Sequence, residues 1–204
     1  MAERTIPPNV TALRISPLAG LAERMRAAAV TGARGVTLRE LPFLGMVNVR
    51  VDPASQAAGR IETALGATLP HRCGDTTASG PRTVVWLGPD EWLVLSPSDE
   101  TAALREALGP DPGSVVDVSA NRTTLELSGP SARQVLEKGC PLDLHPRAFG
   151  PGRAVSTTVG PVAVLLWQTD DAPTYRLLPR SSYADYLGRW VIDAMSEFRG
   201  PEVP

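Results

Sequence analysis

The sequence predicts an α+β protein of two βαβ-type lobes, each with helices packed on one face of a mostly antiparallel sheet. Three observations carry this. Strand-period patterns occur in both halves: Leu125 and Leu127 face one way with Thr124 and Glu126 the other, and Met46, Val47, Val49 and Val51 make an apolar run. Helical spacings follow strands, opened by serine or by Asp52-Pro53 and stopped by glycine. The order of elements in the first half also recurs in the second, where WLGPDEWLVLSPSDETAALREAL compares with WQTDDAPTYRLLPRSSYADYLGRWV. Trp86 corresponds there to Trp167, Trp92 roughly to Tyr175 and Pro97 to Pro179; an apolar strand ends at proline, and a serine opens a helix that packs back.

Taken in order, residues 1–16 are dotted with proline and lack a period, as suits an arm that is ordered only by packing on something. Over 17–30, Leu18, Leu21, Met25 and Ala28 or Ala29 recur at helical spacing. Residues 36–51 hold two apolar segments around Pro42 and Gly45, the second a strand. A helix starts at Asp52-Pro53 and runs to Leu65, with Ala57, Ile61, Ala64 and Leu65 inward and Gly66 as its stop. Residues 71–82 read as a loop, 83–87 and 91–95 as strands about a Gly88-Pro89-Asp90 turn, and 98–108 as a helix capped by Ser98 with Leu104 and Leu108 inward.

The densest signals lie at 115–149. Val115, Val116 and Val118 suit a short buried strand, Asn121-Arg122 is a polar break, and 123–127 is a half-buried strand. Ser128 caps a helix over 130–137 with Pro130 at its first position and Val135 and Leu136 inward; Gly139 and Pro141 end it. Strands follow at 154–159, 162–168 and 174–178. Ser181 or Ser182 opens the last helix, with Tyr183, Tyr186, Leu187, Trp190, Val191 and Met195 at helical spacing. The Trp and Tyr residues, Trp86, Trp92, Trp167, Trp190, Tyr183 and Tyr186, are expected in the core. The expected division is an arm and helix over 1–35, a first α+β lobe over 36–120 and a second over 121–204.

A chain of 204 residues can bury roughly 70% of its unfolded surface. The net charge of −2 provides no basic excess for a phosphate backbone, so no nucleic acid is expected. Two cysteines do not make a disulfide scaffold and suit a reducing compartment. The opening MAERTIPPNV carries no apolar run of the secretory type, and no stretch approaches the ~18 apolar residues that span a bilayer. A cytoplasmic protein without membrane contact is expected.

Candidate chemistry is sparse. His71, Cys73, Cys140 and His145 are the only histidines and cysteines, and neither His-x-Cys nor Cys-x4-His is a usual zinc spacing. No G-x-S-x-G elbow or glycine-rich phosphate loop occurs. The acid pairs Asp90-Glu91 and Asp170-Asp171 fall in hairpin turns, which aspartate favours. No catalytic, cofactor or metal residue is therefore assigned. Asn121-Arg122 stands where a plain hairpin would favour Asn-Gly, and Arg122 is either a solvated turn residue or one that reaches a partner's carboxylate. Cys140, Leu142, Leu144 and Phe149 are apolar residues in a loop-like stretch; they fold onto their own core or cover a partner. The expected interface set is Asn121, Arg122, Leu142, Leu144, His145 and Phe149.

DVSANRTTLELSGPSARQVLEKGCPLDLHPRAF resembles the hallmark stretch of the gamma subunit of heterotetrameric sarcosine oxidase, and the order, length and flanking segments agree from about residue 38 to 198. More distantly, Asp117-Val118-Ser119 followed by Leu127-Ser128-Gly129-Pro130 is similar to the folate-binding domain of the glycine-cleavage aminomethyltransferase. The resemblance implies two ferredoxin-like lobes of aminomethyltransferase type. It implies a non-catalytic subunit packed against alpha, beta and delta subunits. That complex would oxidise sarcosine's N-methyl group, giving glycine, hydrogen peroxide, and formaldehyde or methylenetetrahydrofolate. FAD, covalent FMN, NAD, zinc and tetrahydrofolate would all sit on the other subunits. The aminomethyltransferases contact the pterin through an aspartate on the hairpin after the second-lobe helix, whereas the corresponding Thr158-Val159-Gly160-Pro161-Val162-Ala163-Val164 has no carboxylate. Lys138-Gly139-Cys140 begins like a motif of the folate-dependent iron–sulfur-related members but continues as Pro141-Leu142. The alternative is a stand-alone folate-binding protein, a one-carbon transferase or a folate-dependent regulator.

Overall fold

The computed structural model describes residues 13–200. The expected arm thus lies outside the described residues up to residue 12. A 3-10 turn, Ala19–Leu21, leads into α1, Ala22–Ala28. Then come β1 (Thr37–Glu40), β2 (Gly45–Val51), α2 (Gln56–Leu65), β3 (Thr76–Ser79), β4 (Arg82–Gly88), β5 (Glu91–Ser96), α3 (Thr101–Leu108) and β6 (Gly113–Asp117). The second half holds β7 (Leu125–Ser128), α4 (Ala132–Glu137), β8 (Ala154–Val159), β9 (Val162–Asp170), β10 (Thr174–Pro179) and α5 (Ala184–Ala194).

The strands form two antiparallel sheets, ordered β3-β4-β5-β2-β6 and β8-β9-β10-β7-β1. Position by position these are one arrangement used twice: an edge strand, a two-strand hairpin, the strand that leads into a helix, and an outer strand. The repeat read from sequence is therefore real. The boundary at residue 36 is not, because β1 pairs with β7 over Thr37–Glu40 and Leu125–Ser128 and α1 packs in the same core. Residues 13–40 belong to the second lobe. The outer strand that β6 supplies to the first sheet, from the end of its lobe, β1 supplies to the second from the chain's beginning.

Strand alternation sorts the side chains into three cores. Val47, Val49, Trp92 and Val94 turn to Ala57, Ile61, Leu65, Leu104 and Leu108 on α2 and α3. Leu125, Leu127, Val164, Leu166, Tyr175 and Leu177 turn to α1, α4 and α5. The opposite faces meet each other: Met46, Val85, Leu93 and Leu95 of one sheet pack on Ala154, Leu165, Trp167 and Leu178 of the other. The layers run helices, sheet, sheet, helices, and full burial of each large aliphatic side chain contributes about 1.5–3 kcal/mol.

That double burial revises several readings. The strand at β7 is central, not half-buried: Thr124 is wholly buried and Glu126 nearly so. Glu126 stands directly opposite Arg39 of β1 and Arg176 of β10, and accepts from Arg39 Nε at 2.7 Å and Arg176 Nε at 3.2 Å. A one-residue slip would place this carboxylate opposite Leu38 or Glu40 of β1, or opposite Tyr175 or Leu177 of β10, so the triad helps hold the register. The correspondence of Trp86 with Trp167 is a slip of this kind. Trp86 pairs with Trp92, but the residue paired with Tyr175 is Gln168, and Trp167 faces the other sheet in the place of Val85. The match of Trp92 with Tyr175 holds, both buried on the helix side.

Residues 71–82 contain β3, an edge strand of Thr, Ala and Ser that has no apolar alternation to announce it. Helix caps differ too. Ser55 caps α2 by accepting from Ala58 N, Gly66 ends it at φ 67°, and Ala58 rather than Ala64 is buried. Ser128 shares a hydrogen bond with Thr37 instead of capping α4, which starts after Ser131. Ser98 and Ser96 both donate to the Glu100 carboxylate, at 2.8 and 2.9 Å, and Arg82 Nε lies 3.0 Å from it. The Arg82 guanidinium, followed by the two hydroxyls, holds the Glu100 carboxyl below its ordinary range against the opposing effect of burial. A carboxyl so depressed stabilises the fold above the unfolded glutamate pKa and loses that contribution as pH falls through the folded value. Denaturant midpoints of wild type and Glu100→Gln should therefore differ most near neutrality and converge below about pH 4.

Candidate subunit interface

The segment from β6 to β7 crosses between sheets, which is why it carries no hairpin dipeptide. Asp117 Oδ1 accepts from Ser119 N and Oγ at 2.9 and 2.6 Å, and Ser119 Oγ accepts from Met46 N at 2.9 Å, so the turn is tied to β2. On the other side Ser181 N donates to Asn121 O at 2.8 Å and Ser181 Oγ to Ala120 O at 2.9 Å. Arg122 is neither a free turn residue nor fully buried. Its Nη1 donates to Leu178 O at 2.8 Å, and it forms a β-bridge with Arg180, whose own Nη1 reaches Asn121 Oδ1 at 3.3 Å. Burial, then the adjacent Arg180 charge, lowers the pKa of the Arg122 guanidinium.

Beside this turn lies a notch of about 230 Å³ lined by Arg14, Ile15, Phe43, Arg122 and Ser181. Phe43 sits at φ 62°, the one non-glycine residue at positive φ among those described; the residue is 44% exposed, with the Arg14 guanidinium 4.3 Å from its ring centre. Ile15 is 84% exposed. Sequence reading found Asn121 and Arg122 but not Ile15 or Phe43. The available signal was a large apolar residue in a Pro42–Gly45 break and another in an aperiodic segment. Tyr183 and Tyr186, expected in the core, are exposed on the α5 side, because Ala184, Leu187 and Val191 form the buried stripe.

The segment 139–149 folds mainly onto its own chain. Leu144 and Phe149 are buried in the second-lobe core with Cys140, so their apolar surface is already covered by this chain. Two backbone donors, Ala148 N and Phe149 N, close on His145 O and turn Phe149 inward. Leu142 packs partly on the same core, and His145 is exposed, its Nδ1 accepting from Arg147 N at 3.2 Å. His71 and Cys73 are exposed at another turn, and among the described residues no three of His, Cys, Asp or Glu converge as metal ligands. The acid pairs serve turns and strands: Asp90 accepts from Arg50, Glu91 from Asn48, and Asp170 from Ala172 N. No described helix is long and apolar enough to cross a membrane.

Residues 47–197 match the family described as Sarcosine oxidase, gamma subunit family. The sarcosine oxidase subunit gamma of an Arthrobacter species is 46% identical over 206 residues, covering all of both chains. That of Corynebacterium sp. strain U-96 is 45% identical over 196 residues, 95% of each. A chain of the heterotetrameric sarcosine oxidase from Corynebacterium sp. U-96, solved with pyrrole 2-carboxylate, superposes with a TM-score of 0.91 at 45% identity over 94% of this chain and 100% of that one. The glycine cleavage aminomethyltransferase T of Bartonella henselae shares the fold at a TM-score of 0.59 and 15% identity, over 92% of this chain and 62% of that one. The two-sheet arrangement, the full-length identity and the superposition together place the chain in the sarcosine oxidase gamma subunit family.

Proposed function

We propose that the chain is a non-catalytic, structural subunit of a heterotetrameric sarcosine oxidase in the cytoplasm, packing against alpha, beta and delta subunits and steadying the flavin-bearing ones. The complex takes sarcosine, dioxygen and water to glycine, formaldehyde and hydrogen peroxide, with methylenetetrahydrofolate replacing formaldehyde when the folate accepts the carbon. FAD, covalent FMN, NAD, zinc and tetrahydrofolate belong on this reading to the other subunits. Each lobe reads as ferredoxin-like with one added edge strand: β4-β5-β2-β6 has the strand order of that fold, and β9-β10-β7-β1 repeats it with β1 in the last place.

The observation that carries the reading is the filled space between the sheets. A folate-binding relative needs a pocket between its lobes, and here Met46, Val85, Leu93, Leu95, Leu165, Trp167 and Leu178 occupy that space. The hairpin that would present an aspartate to the pterin is turned to its own chain as well: Gly160 packs on the Trp190 indole, with 3.1 Å from its ideal Cβ position to Nε1. Both features support placing tetrahydrofolate on another subunit. The stand-alone folate protein yields also to the match along the whole chain with gamma subunits.

Co-expressing the remaining subunits with and without this chain tests the role. Omission should lower assembled, flavin-loaded oxidase several-fold. Full assembly, flavin content and activity without the chain would refute it, as would micromolar binding of tetrahydrofolate by the purified chain.

A further inference from the structure

Arginines on the sheets generally find carboxylates: Arg39 and Arg176 share Glu126, Arg50 meets Asp90, and Arg82 meets Glu100. Around the notch between the Arg122 turn and Phe43 the pattern reverses. Arg14, Arg122 and Arg180 have no ion-pair partner among the described residues. Arg122 and Arg180 are bridge partners, so two like charges stand side by side with no anion between them. Arg122 is partly withdrawn from water as well, and a desolvated cation without a counter-ion is an unfavourable arrangement that an incoming carboxylate relieves.

The apolar side of the notch is equally uncompensated. Ile15 and Phe43 are large, exposed and adjacent in one concavity, and Leu13 and Tyr183, one or two residues from its lining, are exposed too. Contiguous exposed apolar surface with a charged rim marks a contact site. Phe43 presents its ring from a left-handed backbone, a conformation that costs of order 1–3 kcal/mol for a non-glycine residue and persists where the surrounding structure imposes it. Nearby donors and acceptors fix the turn before any partner arrives, so little ordering is left for binding.

We propose that this notch is the docking site for a segment of another oxidase subunit that carries a carboxylate beside an apolar side chain. The carboxylate pairs with Arg122 and Arg180, and the apolar group packs on Ile15 and Phe43. The inference rests on the proposed role as an oxidase subunit and specifies which face makes the contact. Arginine and aromatic residues in a partly desolvated cleft are the composition that carries most binding energy at interfaces.

The test uses the co-expressed complex. A photo-crosslinking benzophenone side chain at position 43 should join this chain to another subunit through a peptide bearing Asp or Glu within a few residues, while the same group at position 63 on α2 should not. The double substitution Arg122→Glu with Arg180→Glu should lower incorporation at least tenfold, and Arg122→Lys with Arg180→Lys should restore most of it, which separates charge pairing from misfolding. An active complex with no crosslink from position 43, a crosslinked peptide without acidic residues, incorporation unchanged by charge reversal, or a notch that binds inorganic phosphate only would each overturn the proposal. Failure of the wild-type chain to join the other subunits at all would instead remove the proposed function.

Discussion

Trp92→Ala should destabilise the purified chain by about 3–5 kcal/mol, with a melting temperature lower by on the order of 10 °C. Trp92 is wholly buried near the start of β5, in one apolar cluster with Ala57, Ile61, Leu65 and Leu104. The loss has two parts. Removing the indole takes away its burial and leaves a cavity, and the carbonyl of Pro70 loses the donor now 2.8 Å away at Nε1. Trp92→Phe separates them, because it keeps most of the volume and removes the donor; it should cost about 1–3 kcal/mol. Urea denaturation of both variants measures the pair. Equal midpoints for wild type and Trp92→Ala would mean that the first-lobe core does not limit stability.

Gly129→Ala should cost roughly 2–4 kcal/mol, through backbone rather than side-chain loss. Gly129 links β7 to α4 at φ 115°, and a Cβ there would lie 2.6 Å from Gly35 O and 3.0 Å from Gly35 C. Both obstacles are main-chain atoms, and Gly35 O is held by the Ser131 N–H at 3.1 Å, so the neighbour cannot swing aside. Gly32→Ala is the control. Gly32 also has positive φ, 87°, but nothing within 4 Å of its would-be Cβ, so only the conformational part, about 1 kcal/mol, should appear. Thermal unfolding of the two variants isolates the clash; indistinguishable midpoints would dispose of it.

Elements whose local chemistry agrees with their surroundings were legible in the sequence. Leu104 and Leu108 face the core as their spacing requires, Gly66 stops α2 in the left-handed conformation, and the β8–β9–β10 run falls where its apolar periods lie. The misreadings share a cause: tertiary neighbours that a local pattern does not contain. Thr124 and Glu126 look like a solvent face until the other sheet packs on that side and Arg39 and Arg176 flank Glu126. Polar β3 carries no alternation because it is an edge. Tyr183 and Tyr186 sit at helical spacing but off the stripe that Ala184, Leu187 and Val191 bury. At the candidate interface, Asn121 and Arg122 stood out because a hairpin was expected and the residues did not suit one. Ile15 and Phe43 carried only the weak signal of apolar residues outside any periodic segment, and nothing local brings together two residues 28 positions apart.

The placement of β1 has a consequence for the nascent chain. Its pairing partner begins 85 residues further on, at Leu125, and that partner's other flank, β10, is later still. The β2–β6 unit closes its own sheet once residue 117 has emerged, whereas Thr37–Glu40 must wait, an unpaired apolar-bearing segment upstream of a finished unit. Late capture of an early strand makes the last step of maturation a long-range closure, in which residues 37–40 join a strand from the middle of the chain.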